Sequence, residues 1–162
     1  MPVPVSGTGI RIVGQRVDGE SQQHLGEWLA TWAELRVAAE RAVAAGTDPA
    51  GSGWDLAGLL LHVAAWWREG TARVPALLGG APSVDYDVDA FNEAATARAT
   101  TAEAALADLV QAAGLYTMLL AGLRDRDYDV GDGSVRAWAE AAGVRHPRLH
   151  LRDLSATSGS KG

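Results

Sequence analysis

The chain of 162 residues contains no cysteine, and this absence excludes several kinds of chemistry. Without thiols there is no disulfide, no thiolate metal site and no cysteine nucleophile. Any metal that the chain binds must therefore be held by nitrogen or oxygen ligands. Any thiol chemistry must use a thiol that is supplied from outside.

Basic residues are fewer than acidic ones. The chain has 14 Lys and Arg and 20 Asp and Glu, which give a formal net charge of −6. A protein that binds nucleic acid normally carries a basic patch or stripe. No such stripe is evident along this sequence. We therefore expect a small-molecule partner and no nucleic-acid partner.

Long hydrophobic runs are missing as well. The longest apolar stretch covers residues 109–123 and contains Gln111, whereas a helix needs about 20 apolar residues to cross a bilayer. The first twenty residues have no apolar segment of the kind found in signal peptides. The sequence therefore predicts a cytoplasmic protein with no membrane-spanning segment.

The residues that are present suit one folded domain. Hydrophobic residues make up 48 % of the chain, which is enough for a core at this length. We expect an N-terminal arm over 1–20, rich in Gly, Pro and Val, and a folded domain over 21–154. The Ser- and Gly-containing segment 155–162 is typical of a flexible tail.

Apolar residues recur every three or four positions in four segments, as they do on the buried face of a helix. The first segment, about 21–45, has Ser21 as a candidate N-cap and Gly46 as a stop signal. The second opens at Ser52 with the spacing of a capping box, and Pro75 should bend or end it.

The third helical segment starts near Asp89, is renewed by a capping-box spacing at Thr100, and ends by Gly122. The fourth begins at Ser134 and runs to Leu154, with a bend near Gly143 or Pro147. No alternating strand pattern separates these segments. The sequence therefore predicts an all-α fold, a four-helix bundle.

The histidines are the best candidates for chemistry. His62 lies on the second helix, and the nearest acids on the same face, Asp55 and Glu69, are seven residues away. That separation is about 10 Å along a helix axis, whereas metal–ligand distances are about 2 Å. Further ligands to a metal at His62 must therefore come from another helix.

A second pair of histidines meets this need. His146 and His150 are four residues apart, which places two imidazoles one turn apart on one helix face. Pro147 disfavours helical geometry at His146, unless Pro147 takes the first helical position.

The residues alone leave two interpretations open. In one, His62, His146 and His150 bind a metal together. In the other, His62 is a hydrogen-bonded residue at the core edge and the pair is a solvated helix end. His24, in the first turn of the first helix, is expected on the surface.

Five of the six tryptophans fall into two groups. Most lie on predicted core stripes, and these are Trp28, Trp32, Trp67 and Trp138. Trp66 lies one turn from His62 and is expected to wall a pocket. Together with Glu69 and Asn92, it makes up the set of candidate pocket or cofactor-binding residues.

Three motifs in this order resemble the DinB/YfiT-like superfamily over about 21–154. They are a tryptophan-led helix over 54–66 with an inward His62, a segment over 88–93 with Phe91 and Asn92, and Trp138 followed by His146-x-x-x-His150. The likeness is strongest to the actinobacterial branch around mycothiol-dependent maleylpyruvate isomerase and to ClbS/DfsB-type proteins. The resemblance implies a DinB-like four-helix bundle that holds a divalent metal through three histidines. A homodimer is a further expectation.

The resemblance also implies a function. We expect a metal-dependent enzyme, with zinc or nickel as the first candidates, that acts on a small molecule with a mycothiol-type thiol as transferase or isomerase. An alternative is a ClbS-like self-resistance protein that hydrolyses or sequesters a reactive natural product. A further alternative is a non-catalytic bundle used for binding or dimerisation.

Overall fold

The computed structural model describes residues 19–156 and is all-helical over that range, which confirms the predicted all-α class. The α-helices are α1 (Glu20–Ala45), α2 (Leu56–Leu78), α3 (Val88–Thr96), α4 (Ala102–Gly122), α5 (Ser134–Ala137) and α6 (His146–Ala156). A 3₁₀ turn covers Asp125–Asp129, and a π-helical segment covers Trp138–Arg145. The predicted arm and tail lie outside the described residues, apart from residues 19–20 and 155–156.

The ends of α1 show one correct and one wrong prediction. Gly46 ends the helix in the left-handed conformation with φ of 61°, as the sequence indicates. The N-cap, however, is Gly19 and not Ser21. Ser21 lies in the first turn, where its backbone N–H and its hydroxyl donate to Oδ1 of Asp125 at 2.9 and 2.7 Å. A carboxylate from the 3₁₀ turn therefore caps this helix.

Two further helices begin slightly later than the capping-box spacings indicate. The side chain of Asp55 accepts from the N–H of Gly58 at 2.7 Å and starts α2. The hydroxyl of Thr101 accepts from the N–H of Ala104 at 3.2 Å and starts α4. Pro75 lies inside the last turns of α2 without ending it, and the helix stops at Leu78.

The core lies where α1, α2 and α4 meet. Trp28, Trp67 and Tyr116 are completely buried there, and the Trp28 ring meets the other two edge-on at 4.8 and 4.9 Å. Trp28 and Trp67 are thus core residues, as predicted. Trp32 and Trp138 are only partly buried.

Helix α4 is longer than the apolar stretch recognised in the sequence. It has 21 residues and, by length and composition alone, is apolar enough to cross a membrane. The length of the apolar stretch therefore does not exclude a membrane-spanning helix, contrary to the prediction. The core helices of soluble proteins can have the same length and composition, and α4 contributes Leu109, Tyr116 and Leu120 to the core.

Where the sequence predicts a bend, the last helical stretch contains a π-helical segment. Between α5 and α6 the backbone is π-helical, and the N–H of His146 donates to the carbonyl of Ala141, five residues back. Pro147 has no backbone N–H. In this register, in which each N–H bonds to the carbonyl five residues back, the Ala142 carbonyl therefore has no backbone donor. The indole N–H of Trp67 donates to this carbonyl at 2.8 Å. The proline is therefore accommodated, and His146 keeps helical dihedral angles of −62° and −52°.

Candidate metal centre

The structure brings together the three histidines that the sequence singles out. His62 lies in the first third of α2, while His146 begins α6 and His150 follows one turn later. The Nε2 atom of His146 is 2.7 Å from Nε2 of His62 and 3.0 Å from Nε2 of His150. The cluster could hold a metal ion, with one ligand atom from each residue.

The orientation of the three rings fits a shared cation. The ring planes are nearly perpendicular to one another, at 77°, 87° and 85°. Hydrogen bonding cannot satisfy all three Nε2 atoms, because Nε2 of His146 carries either one proton or one lone pair. Three nitrogens about 2.0–2.1 Å from one metal ion lie roughly 3 Å apart. A divalent cation therefore fits this donor set.

Asp153 supports the cluster from outside. Its Oδ2 atom lies 3.1 Å from Nδ1 of His150. A carboxylate in this position fixes the tautomer of a ligating histidine and presents Nε2 to the metal. Asp153 was not predicted as part of the site, although its spacing of three from His150 on one helix indicates that the two side chains can meet.

The protonation of the cluster also suits a metal. Burial lowers the pKa of His62 to about 4, helped by His150 and opposed by the Asn92 side chain. Burial and the neighbouring histidines lower the pKa of His146 to about 3. The pKa of His150 is also lowered by burial, against the opposing effect of Asp153. All three imidazoles are therefore neutral at pH 7, the form that binds metal.

Trp54 closes one side of the cluster. Its ring stacks on His62 with centroids 4.3 Å apart and an angle of 27°, and lies 6.2 Å from the His150 ring. From the sequence, Trp54 is predicted to lead the second helix and is not assigned to the site. Its position depends on the turn before α2, where Ser52 hydrogen-bonds to the backbone of Trp54.

A cavity of about 380 Å³ lies on another side of the cluster, with His146 in its wall. Its lining includes Trp66, Arg73, Tyr86 and Trp138. The three aromatic rings lie 5.6 to 6.1 Å from one another. Trp66 thus lines a pocket beside the histidines, as expected, and Trp138 belongs to the same wall.

Asn92 and Glu69, the other two candidate pocket residues, have different surroundings. Asn92 accepts a hydrogen bond from the indole of Trp66 at 3.0 Å, so it holds the pocket wall in place. Glu69 is not among the residues that line the cavity. Its Oε1 accepts from Tyr86 at 2.5 Å and from Arg73 at 3.0 Å, and it thereby orients two residues that do line it.

The prediction for His24 is wrong. This residue is only 8 % exposed, its ring lies 4.8 Å from that of Tyr128, and its Nε2 is 3.7 Å from a Glu140 oxygen. Its burial follows from the 3₁₀ turn over Asp125–Asp129, which carries Tyr128 and packs against the start of α1. His24 takes no part in the three-histidine cluster.

No family model, curated protein or solved structure matches the chain. Inference about function therefore depends on the geometry and chemistry of the site. The features that matter are the converging Nε2 atoms, the Asp153 carboxylate and the aromatic cavity beside His146.

Proposed function

We propose that the chain is a divalent-metal-dependent enzyme of the DinB/YfiT-like type that acts on a small molecule. The observation that carries the proposal is the convergence of three neutral histidine nitrogens beside a cavity. Three protein ligands leave coordination positions open, which is the arrangement of catalytic rather than structural metal sites. Zinc and nickel are the first candidates, because imidazole suits both.

The bound metal would supply Lewis-acid chemistry and lower the pKa of a thiol or water at the site. The chain's own residues prepare the surroundings. Asp153 orients His150, and Trp54 shields His62 from solvent on one side. Because the chain has no cysteine, a reacting thiol would come from a low-molecular-weight co-substrate, as the sequence resemblance implies for a transferase or isomerase.

The aromatic cavity would bind the apolar part of the substrate. A volume of about 380 Å³ lies at the lower end of the range for small-molecule sites. The positive charge of Arg73 is offset by Glu69, 3.0 Å away, so the aromatic wall is close to neutral. A planar apolar group would fit against Trp66, Tyr86 and Trp138.

A matched pair of metal-binding probes tests this proposal. Benzohydroxamate and acetohydroxamate chelate a metal through the same group, but only the former carries a ring. We expect calorimetric titration of the zinc-loaded protein to show at least tenfold tighter binding of benzohydroxamate. Trp138→Leu should remove most of this preference. Trp32→Leu is the control, because Trp32 is partly buried but does not line the cavity.

The same titration can contradict the proposal. Equal affinity for the two probes would mean that the cavity plays no part in binding at the metal. Failure of both probes to bind the zinc-loaded protein would mean that the cluster does not offer an open coordination position.

A turnover assay tests the reaction class. Metal-loaded wild type should accelerate the displacement of chloride from 1-chloro-2,4-dinitrobenzene by N-acetylcysteine. The thiol loses its proton to solvent, its sulfur adds to the ring carbon, and the carbon–chlorine bond then breaks to release chloride. His150→Ala should not accelerate it. Equal rates for the two proteins would count against thiol transfer.

A further inference from the structure

A second depression, distinct from the aromatic cavity, also has His146 in its wall. Its volume is about 520 Å³, and its lining consists of Ala141, Arg145, His146, Arg148, Leu149 and Arg152. We call this depression the arginine groove. Ala141 and His146 line both depressions. His146 therefore lines both an aromatic cavity and a basic groove.

The three arginines share one face of the last helical stretch. Positions 145, 148 and 152 are three and four residues apart, which is the spacing of neighbours on a helix surface. All three side chains are exposed. Like charges at this spacing repel each other, so the arrangement does not help the helix by itself.

These arginines also have no carboxylate partner within the described part of the chain. The ion pairs formed among residues 19–156 involve other cations: His24, Arg36, Arg68, Arg73, Arg98, Arg126, Arg136 and His150. In a chain with a net charge of −6, three such arginines beside a candidate metal centre make a local region of positive potential.

We propose that the arginine groove binds the anionic group of a small molecule, a carboxylate or a phosphate, whose remainder reaches His146. The guanidinium group presents paired donors that match both kinds of oxyanion. Leu149 is 54 % exposed beside the arginines and offers an apolar contact to the same molecule. The substrate of the proposed enzyme is thus an anion with an apolar portion, and in this respect the inference rests on the proposed function.

The size of the groove favours a small molecule over a nucleic acid. Seven residues separate the outer arginines, and this corresponds to about 10 Å of helix. A nucleic-acid surface would need a longer basic stripe, and the overall charge of −6 opposes it. One or two oxyanions fill the available length.

Anion binding can be measured without any metal. The metal-free protein would be titrated calorimetrically at low ionic strength with inorganic phosphate and, separately, with malonate. We expect the double variant Arg148→Gln/Arg152→Gln to bind at least fivefold more weakly than wild type. The control Arg41→Gln/Arg126→Gln removes the same charge from exposed positions elsewhere and should stay within twofold. Circular dichroism would verify that both variants are folded.

Each outcome decides the inference. The inference is supported if either probe binds wild type and binds the groove variant at least fivefold more weakly. The probe that binds wild type more tightly shows whether the groove prefers a phosphate or a carboxylate. Absence of binding by both probes, or equal weakening in the control variant, overturns it. Zinc titration of the same proteins separates the two proposals. Zinc binding without anion binding would overturn only the proposed anion site, and anion binding without zinc binding would overturn only the proposed metal-dependent enzyme.

Discussion

Asp153 accepts a hydrogen bond from the Nδ1 atom of His150 across 3.1 Å, on the side of the ring away from the other two histidines. This contact leaves Nε2 of His150 as the atom available to a metal. Outer carboxylates of this kind contribute about 10–100-fold in metal affinity. We therefore predict that Asp153→Ala weakens zinc binding by that factor. Asp153→Asn should weaken it less, because the amide oxygen still accepts.

Competition with a chromophoric chelator measures this affinity directly. Asp85→Ala is a matched control, since Asp85 is an exposed acid in the loop before α3. An Asp153→Ala protein that keeps wild-type zinc affinity within twofold would show that the carboxylate does not support the site.

The metal-free protein should lose stability as the pH falls from about 6.5 towards 4. Histidines of the unfolded chain titrate near pH 6.5, whereas the pKa values of His62 and His146 in the fold are about 4 and about 3. Between these values the unfolded chain binds more protons than the folded one. The free energy of unfolding therefore has its full histidine contribution above pH 6.5 and loses it on acidification.

Urea unfolding at several pH values in the presence of a chelator tests this dependence. Because carboxylates also titrate in the acidic range, the informative quantity is the difference between wild type and His62→Gln. The variant should show a shallower loss of stability between pH 6.5 and 4.5. Parallel curves for the two proteins would contradict the lowered pKa of His62.

Trp67 and Pro147 should be energetically coupled through the Ala142 carbonyl. Trp67→Phe removes the donor to this buried carbonyl, and an unsatisfied buried acceptor costs about 1–3 kcal/mol. Pro147→Ala introduces a backbone N–H that can take its place. We predict that Trp67→Phe costs less in the Pro147→Ala background than in wild type.

A double-mutant cycle by urea unfolding measures the coupling. The free energies of unfolding of wild type, both single variants and the double variant are compared. Trp32→Phe combined with Pro147→Ala is the control and should be additive. Additive effects of Trp67→Phe and Pro147→Ala would refute a shared carbonyl acceptor.

Local rules explain what could be predicted from the sequence. The spacing of apolar residues is imposed by helix geometry, and Gly46 ends α1 because glycine readily adopts positive φ. His62, His146 and His150 could be chosen because no acid on the helix of His62 reaches the same metal, while a one-turn pair does. Each of these features can be predicted from distances along a single helix.

Features that depend on contacts between distant segments were missed. His24 is buried because a turn about 100 residues later covers it, and Ser21 meets Asp125 for the same reason. The π-helical segment arises where Trp67 supplies the donor that Pro147 lacks, a pairing that no local pattern reveals. The arginine groove is different: the spacing of its arginines around His146 is visible in the sequence, but the depression that they line is not.

The most direct test of the central claim is the zinc stoichiometry of the metal-free protein by calorimetric titration. The three-histidine site predicts one zinc per chain in wild type. His62→Ala, His146→Ala and His150→Ala should each abolish this binding, and His24→Ala, which removes the only other histidine, should retain it. Wild-type protein that binds no zinc or nickel, or that binds either ion equally well after loss of His62, would show that the three histidines do not form a metal site.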